Sequence, residues 1–580
     1  MAARAPLLGL AVVLSAGCAS FTAPALIDRA VAAPQDVQCV DWYAALDAAT
    51  DGTGVRDAGA MRVAGFAHLR VDRFTASLRD KLPAANASQA ASAAHAALHQ
   101  RLVQLDLEAR AFEIANLPAA ARKQLASIAL DAANSTAAPA LNALDAPDAP
   151  DALLQRTRQC ASRLAALDLA TPQRLGTLLE RLDVPDSYTT SYRALGAYAL
   201  TRYPFAAGVR QLEAQRLVVA SADSPPPAGT RRLRYSPPSG VAAATTNPSS
   251  TAHLSAADLR RILTPPPSDP LQVPAPSPAD LERLFAHFAP SFDIDTASDD
   301  DLPGTLAWQP TAGTAHTASS TTAQSLGVDT SAPALYRQTA TTRYGGASLL
   351  QLVYTLWFPA RPAAPGAVLD LLAGKLDGVV WRVTLAPDGT PLVYDSMHPC
   401  GCYHWFYPTP AAQPKPAPQA GIEWAFIPQS LPHAPANAGQ PQRMLLRIAP
   451  VSHFVDRVTY VDRVTPVDRV TPEPPANEPS STTPYAWRDY HSLRALPLGL
   501  TSADSLPGAP PASRSVFNPQ GFIDGTDRAE RFVFWPMGIA RAGSMRQWGK
   551  HATAFVGRRH FDDATLMEQR FNFAPAHFAP

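Results

Sequence analysis

Charge is scarce in this chain. Only 17% of its 580 residues are charged, against roughly a quarter in a typical soluble protein. Lysine occurs only at 81, 123, 375, 415 and 550, so arginine supplies 44 of the 49 positive charges. They balance 49 acidic residues, for a formal net charge of zero. That argues against a protein held mainly on nucleic-acid phosphates or on an anionic membrane surface. Long apolar runs are missing too. Beyond the first twenty residues, none approaches the roughly 18 to 20 needed to span a bilayer. The chain has no G-x-S-x-G elbow, no H-E-x-x-H, no Walker loop and no G-x-G-x-x-G. These absences speak against the common hydrolases, zincin proteases, NTPases and dehydrogenases. Cysteine appears five times, at 18, 39, 160, 400 and 402. An odd count is a puzzle in an exported protein. Proline, by contrast, is abundant: 58 residues, about twice ordinary usage. Hydrophobic residues at 46% support a sizeable core, and the length suits two to four domains.

The N-terminus carries an address. Arg4 is followed by an apolar run from Leu7 to Leu14 and then by small residues, which is the layout of a secretory signal. Leu14-Ser15-Ala16-Gly17-Cys18 resembles the lipobox of bacterial lipoproteins, with Ser15 where that family usually has Leu. The resemblance implies cleavage before Cys18 and lipidation of its thiol. Ala19 in the next position implies sorting to the outer membrane. The other reading is an ordinary cleaved signal ending at Ala30-Val31-Ala32. The expected partner is therefore the membrane, through an N-terminal lipid anchor, with no nucleic acid. The place is the cell envelope.

The rest divides into unlike parts. The expected class is α+β and multidomain: a signal peptide at 1–17, a tether at 18–39, a helical domain at 40–220, a proline-rich linker at 221–280 and a mainly antiparallel β domain at 281–580. Ser88 is expected to cap a long helix through Leu117, with Leu98, Leu102 and Leu105 at helical spacing. Leu153, Thr157, Cys160, Leu164 and Leu167 place Cys160 on a buried helical stripe. Thr171-Pro172 reads as a helix start. The linker holds Pro225-Pro226-Pro227 and Pro265-Pro266-Pro267, interrupted by a short helix near Leu254 to Leu263. Eight of nine tryptophans lie beyond residue 300. Strands are expected at Leu349 to Phe358, Gly378 to Leu385, Leu392 to Met397, Ile422 to Ile427, Met444 to Ile448 and Arg531 to Trp535. Pro387-Asp388-Gly389 is a hairpin turn with a mechanism: proline fixes one angle and glycine supplies positive φ. A hexapeptide, Val-Asp-Arg-Val-Thr-Tyr or -Pro, repeats three times from Val455 to Pro472. It buries too little to fold alone and reads as a disordered loop near 455–484.

The sharpest chemical feature is His398-Pro399-Cys400-Gly401-Cys402-Tyr403-His404. Two thiols and two imidazoles alternate in seven residues. Fully extended, the first and last would stand roughly 20 Å apart, but Pro399 and Gly401 allow a turn. Three chemistries follow: a Cys400–Cys402 disulfide, a zinc or copper site on His398, Cys400, Cys402 and His404, or a redox dithiol. With Cys18 lipidated, Cys39 and Cys160 are left to pair. Closing that loop is worth roughly 4 to 5 kcal/mol in the chain-entropy model. The second feature lies near the C-terminus, where Arg546, His551, Arg558, Arg559, His560 and Asp562 stand among Trp548, Met545 and glycines. This is either a polar binding site or, more simply, a surface salt-bridge network. His95 and His99 share a helix face and could bind a metal, but no third ligand is evident, so they are expected to be exposed to solvent. The acidic run Asp293, Asp295, Asp299, Asp300 and Asp301 lacks the glycine of an EF-hand and reads as a solvated loop.

Two functions remain open. One is a lipid-anchored module that binds a ligand, metal or partner. The other is a periplasm-facing enzyme or redox protein built on His398 to His404. Convergence of that segment with Arg558, His560 and Asp562 in a single cavity is what separates them.

Overall fold

The computed structural model describes residues 27, 32–82, 92–134, 148–221, 226–238, 254–310, 324–363, 366, 370–432, 442–462, 482–499 and 512–578. Cys18, the signal segment and Ser88 lie outside them. The architecture is α+β, a helical N-terminal region followed by a strand-rich part.

Helix α1 (Pro34–Thr53) buries Cys39, Trp42, Tyr43 and Leu46, one stripe at helical spacing. Strands β1 (Met61–Val63) and β2 (Phe66–Val71) then form a hairpin, so the region is not all-helical as expected. Helix α2 (Ala93–Asn116) packs on β2. Its cap is Ser92, whose hydroxyl accepts the backbone N–H of His95. Helix α3 (Pro150–Asp168) has proline in its first turn and buries Leu153, Thr157, Cys160 and Leu164, as the spacing predicts. Thr171 caps the next helix, Pro172–Glu180. Cys39 and Cys160 form the expected disulfide across α1 and α3, with Cα atoms 5.0 Å apart. Helix α4 (Tyr198–Ser221) follows.

The expected linker contributes structure. Arg231–Ser236 is strand β3, paired with β4 (Ser291–Thr296). The short helix Ala256–Leu263 stands where it was expected. Next come β5 (Ala334–Tyr344), β6 (Ala347–Arg361), β7 (Gly374–Leu385), β8 (Pro391–Met397) and β9 (Trp405–Pro408). They continue with β10 (Gln442–Ile448), β11 (Val455–Asp462), β12 (Thr482–Pro484) and β13 (Ala486–Asp489). One sheet has the order β9-β8-β7-β6-β5-β13 and is antiparallel except at β13. The other, mixed, has the order β11-β10-β4-β3-β12. The β7–β8 turn holds Gly389 at φ 89°.

Three expectations change here. The first hexapeptide copy is β11, paired along its length with β10, while 463–481 lies outside the described residues. Ile422 to Ile427 makes only a single bridge, Phe426 to Trp405. Arg531–Phe534 is a helical turn, not a strand. Its aromatics mark a packing patch, not a pleat.

The alternation in β6 decides the core. Leu350, Leu352, Tyr354, Leu356 and Phe358 pack with Trp381, Ile294, Leu446 and Ile448, between the two sheets. The other face of β6 is also buried. Leu349, Val353 and Trp357 meet Phe571, Phe561 and Met545 of the C-terminal segment. The helical region is tied to the same segment. Arg494 reaches Asp57 at 2.8 Å, Arg73 reaches Asp562 at 3.1 Å, and the Tyr188 hydroxyl donates to the Ala554 carbonyl. The β part is therefore packed against the helices and is not carried away from them on a stalk.

Candidate functional site

The segment His398 to His404 joins β8 to β9. The Gly401 N–H donates to the His398 carbonyl at 2.7 Å, and the His398 N–H to the Cys402 carbonyl at 3.0 Å. Gly401 has φ +93°, and a Cβ there would stand 2.7 Å from the Ala552 carbonyl oxygen. Only glycine suits both the angle and the space. The chain is therefore turned, not extended, and the turn brings the two cysteines together.

Both thiols are free, which corrects the expected Cys400–Cys402 disulfide. The Cys402 N–H points at Cys400 Sγ, 3.4 Å away. The hydrogen bond from the Cys402 thiol lowers Cys400, and Arg528 helps against the cost of burial. Cys402 is raised well above the ordinary thiol range, because it gives that bond and is itself desolvated. One sulfur thus ionises readily and the other keeps its proton.

The four expected metal ligands separate. His398 Nδ1 stands 3.1 Å from Asp377, and His404 Nε2 stands 2.8 Å from Asp395. Each imidazole serves its own buried carboxylate, so the zinc or copper site on these four residues is not formed. His398 begins a buried chain: Asp377 also meets His453 at 3.0 Å, and His453 meets Asp301 at 3.1 Å. Burial alone would raise Asp377, but His398, Arg528 and His453 override it and hold it well below the usual range. His404 is pushed down to about 3 by burial, despite Asp395. Asp301 is thus a structural acceptor. Asp293 and Asp295 pair with Arg234 and Arg232, so this part of the acidic run is not a solvated loop.

The C-terminal candidate divides in two. Pro399 O accepts the Arg546 backbone N–H and the His551 ring Nε2, both at 3.0 Å. Thr553 meets His404, and Arg559 bonds to Thr553. Arg546, His551 and Arg559 therefore stand at the cysteine turn. Arg558 and His560 face Asp186 instead, and Asp562 faces Arg73. The expected surface network describes only that second group.

Cavities meet at the turn. One of about 60 Å³ is lined by Cys400, Cys402, His404, Glu213, Glu423 and Arg559. A larger one of about 410 Å³ runs along α4 past Phe205, Val209, Leu212, Phe534 and Phe555, ending at Cys402, Tyr403 and Glu530. Burial raises both cavity acids, Glu213 and Glu530, to about 7. Glu423, also desolvated, is raised as well. The segments that border the larger cavity also expose Leu200, Tyr203 and Phe532. Sequence reasoning flagged both cysteines, but missed Asp377, His453, Glu213, Glu423, Arg528 and Glu530. None of these lies in a local pattern; only the fold assembles them.

No helix among the described residues is long and apolar enough to cross a membrane. No protein-family model matches the chain, and comparison with curated proteins and with solved structures likewise finds no match.

Proposed function

We propose that this chain is a lipid-anchored cell-envelope protein, tethered through Cys18 to the outer membrane, whose Cys400/Cys402 pair carries out thiol–disulfide exchange. The observation that supports this reading is the meeting of two hydrogen-bonded thiols with the C-terminal segment at one cavity. The Cys400 thiolate attacks one sulfur of a substrate disulfide and forms a mixed disulfide. The leaving thiolate takes a proton from Glu213, which is held at about 7 in that cavity. Cys402 then gives its proton to the Glu213 carboxylate and attacks Cys400 Sγ, so the second substrate sulfur leaves as a thiolate and a Cys400–Cys402 disulfide closes, with Glu213 protonated as at the start. Two electrons pass to the substrate, and the pair is reset by an external thiol.

The test is to equilibrate the folded protein in mixtures of reduced and oxidised glutathione, alkylate it, and weigh it. A reversible loss of two thiols is expected in the wild type. Cys402→Ser should trap Cys400 as a stable glutathione adduct. Two thiols that stay reduced in every mixture would overturn the reading.

The apolar walls and size of the larger cavity favour a second reading, a binding module for an apolar ligand without thiol chemistry. It is distinguished by Cys400→Ser/Cys402→Ser, which on this second reading still binds an apolar fluorescent dye as the wild type does.

A further inference from the structure

A second cluster lies far from the thiols in sequence, inside the helical region. His68 is on β2, His99 is in the middle of α2, and Asp168 is the last residue of α3. They are 2%, 3% and 0% exposed. The Nε2 atoms of His68 and His99 point at the same oxygen, Asp168 Oδ2, at 2.8 and 2.9 Å. Among the described residues this is the one group of three or more His, Cys, Asp or Glu side chains whose ligand atoms lie within 4.8 Å of one another.

Two observations point to an ion here. First, the buried His68 Nε2 stands 2.8 Å from the oxygen that already takes the His99 Nε2, in a poorly directed contact, so two imidazoles crowd one carboxylate oxygen. An ion between the three atoms would take both ring lone pairs in place of that crowding. Second, the three ligand atoms converge on one point, all within 4.8 Å of one another. A tetrahedral ion about 2.0 to 2.2 Å from each atom holds neighbouring ligands roughly 3.3 to 3.6 Å apart. The contacts of 2.8 and 2.9 Å to Asp168 would therefore open by about half an ångström to admit it. The outer carboxylate oxygen, Asp168 Oδ1, accepts from Arg174 Nε at 2.7 Å, the kind of contact that fixes a ligand's orientation.

We propose that His68, His99 and Asp168 bind a zinc ion that joins the β1–β2 hairpin, α2 and α3. Two imidazoles and one carboxylate suit zinc better than a hard oxygen-seeking cation or a thiol-seeking one. The near-complete burial makes the site structural. Arg174 draws on the same carboxylate, so affinity is moderate and zinc must be supplied. The sequence showed only one half of this site, His99 on its helix. The other imidazole comes from a hairpin and the carboxylate from a helix end, which no local spacing brings together.

The experiment uses the full chain carrying Cys400→Ser/Cys402→Ser, so that thiol-bound metal does not enter the count. The protein is dialysed against micromolar zinc, freed of loose metal, and assayed for zinc by mass spectrometry. One equivalent per chain is expected, with a higher thermal midpoint than after chelation. His99→Gln should lose the equivalent and the shift. Because that variant can fail to fold, cobalt loading of the parent is read in parallel. A visible d–d spectrum of low-coordinate cobalt supports the site. A folded parent that takes up neither ion, with a thermal midpoint unmoved by zinc, overturns it and leaves a hydrogen-bonded His–Asp–His cluster.

Discussion

Cys402 controls the character of Cys400. Its thiol gives the hydrogen bond that lowers Cys400, and that bond outweighs burial. Cys402→Ala removes the donor and leaves a buried sulfur beside Arg528. The pH midpoint of Cys400 alkylation should then move up, and alkylation at neutral pH should slow by several fold. Iodoacetamide labelling followed by mass spectrometry across pH measures both. An unchanged midpoint would mean that the arginines alone set the thiolate. The residue scale was also the most legible one. Alternating Cys and His residues marked the right seven positions, because reactive side chains crowded together are visible without a fold. Their partners were not visible. Whether His398 meets a metal or Asp377 depends on β7, which lies twenty residues away in sequence. The expectation of a metal on these four residues failed for that reason.

At the scale of elements, β2 and α2 are joined by buried charge. Arg70 reaches Glu113 at 2.6 Å and Asp106 at 3.2 Å, and Arg110 reaches Asp47 at 2.6 Å. Arg70, Asp106, Arg110 and Glu113 are fully buried. Removing one partner strands the opposite charges in a low-dielectric interior. Arg70→Ala should cost about 3 to 5 kcal/mol, read as a lower denaturation midpoint. Arg70→Met with Glu113→Leu together should cost less than Arg70→Ala alone, since one charge of each sign is removed and Arg110 still pairs with Asp106 and Asp47. A single variant within experimental error of wild type would show that water reaches these acids. The same charges explain why the hairpin was missed. Buried His68 and Arg70 break the apolar pattern that marks a strand. The helices were legible because Leu153, Thr157, Cys160 and Leu164 keep theirs. The helical turn at Arg531–Phe534 shows the opposite failure, where aromatic residues imitate a strand.

The two halves of the molecule were read as separate because proline and alanine change along the chain. What unites them is pairwise and distant: Asp57 with Arg494, Arg73 with Asp562, and Cys39 with Cys160 inside the first half. Such pairs have no local signature. Of these, only the disulfide could be reached, by arithmetic on the cysteines. Its loop spans 121 residues, for which the chain-entropy model gives roughly 4 to 5 kcal/mol. Reduction, or Cys39→Ser/Cys160→Ser, should lower the denaturation midpoint accordingly. A midpoint that did not move would place the contribution in contacts that survive reduction.

Titration acts on the joint between the halves. His404 and His551 are held down to about 3 and about 4, both chiefly by burial, from 6.5. Below about pH 6.5 the unfolded chain takes up protons that these buried rings refuse, so folding loses about 1.4 kcal/mol per pH unit for each ring. Glu530 works the other way. Raised from 4.5 to about 7, it stays protonated in the fold while the unfolded chain ionises, so its contribution is lost as pH rises from about 4.5 to about 7. Glu213, also raised to about 7 but less buried, adds to this, so between those values the two acids offset most of the loss from the two histidines. Below about 4.5 the offset ends. Asp377 and Asp395, both depressed by their basic partners against the effect of burial, then lose their contribution too as pH falls further. Stability should therefore be greatest near pH 6.5, decline gently to about 4.5, and fall steeply beyond it. Urea midpoints measured from pH 4 to 7 test this. His551→Gln should make the decline shallower, and Glu530→Gln should make the stretch from 4.5 to 6.5 steeper. A midpoint that stays level from 6.5 down to 4 would mean that both rings gain protons within the folded protein, and that water reaches the cysteine turn they hold.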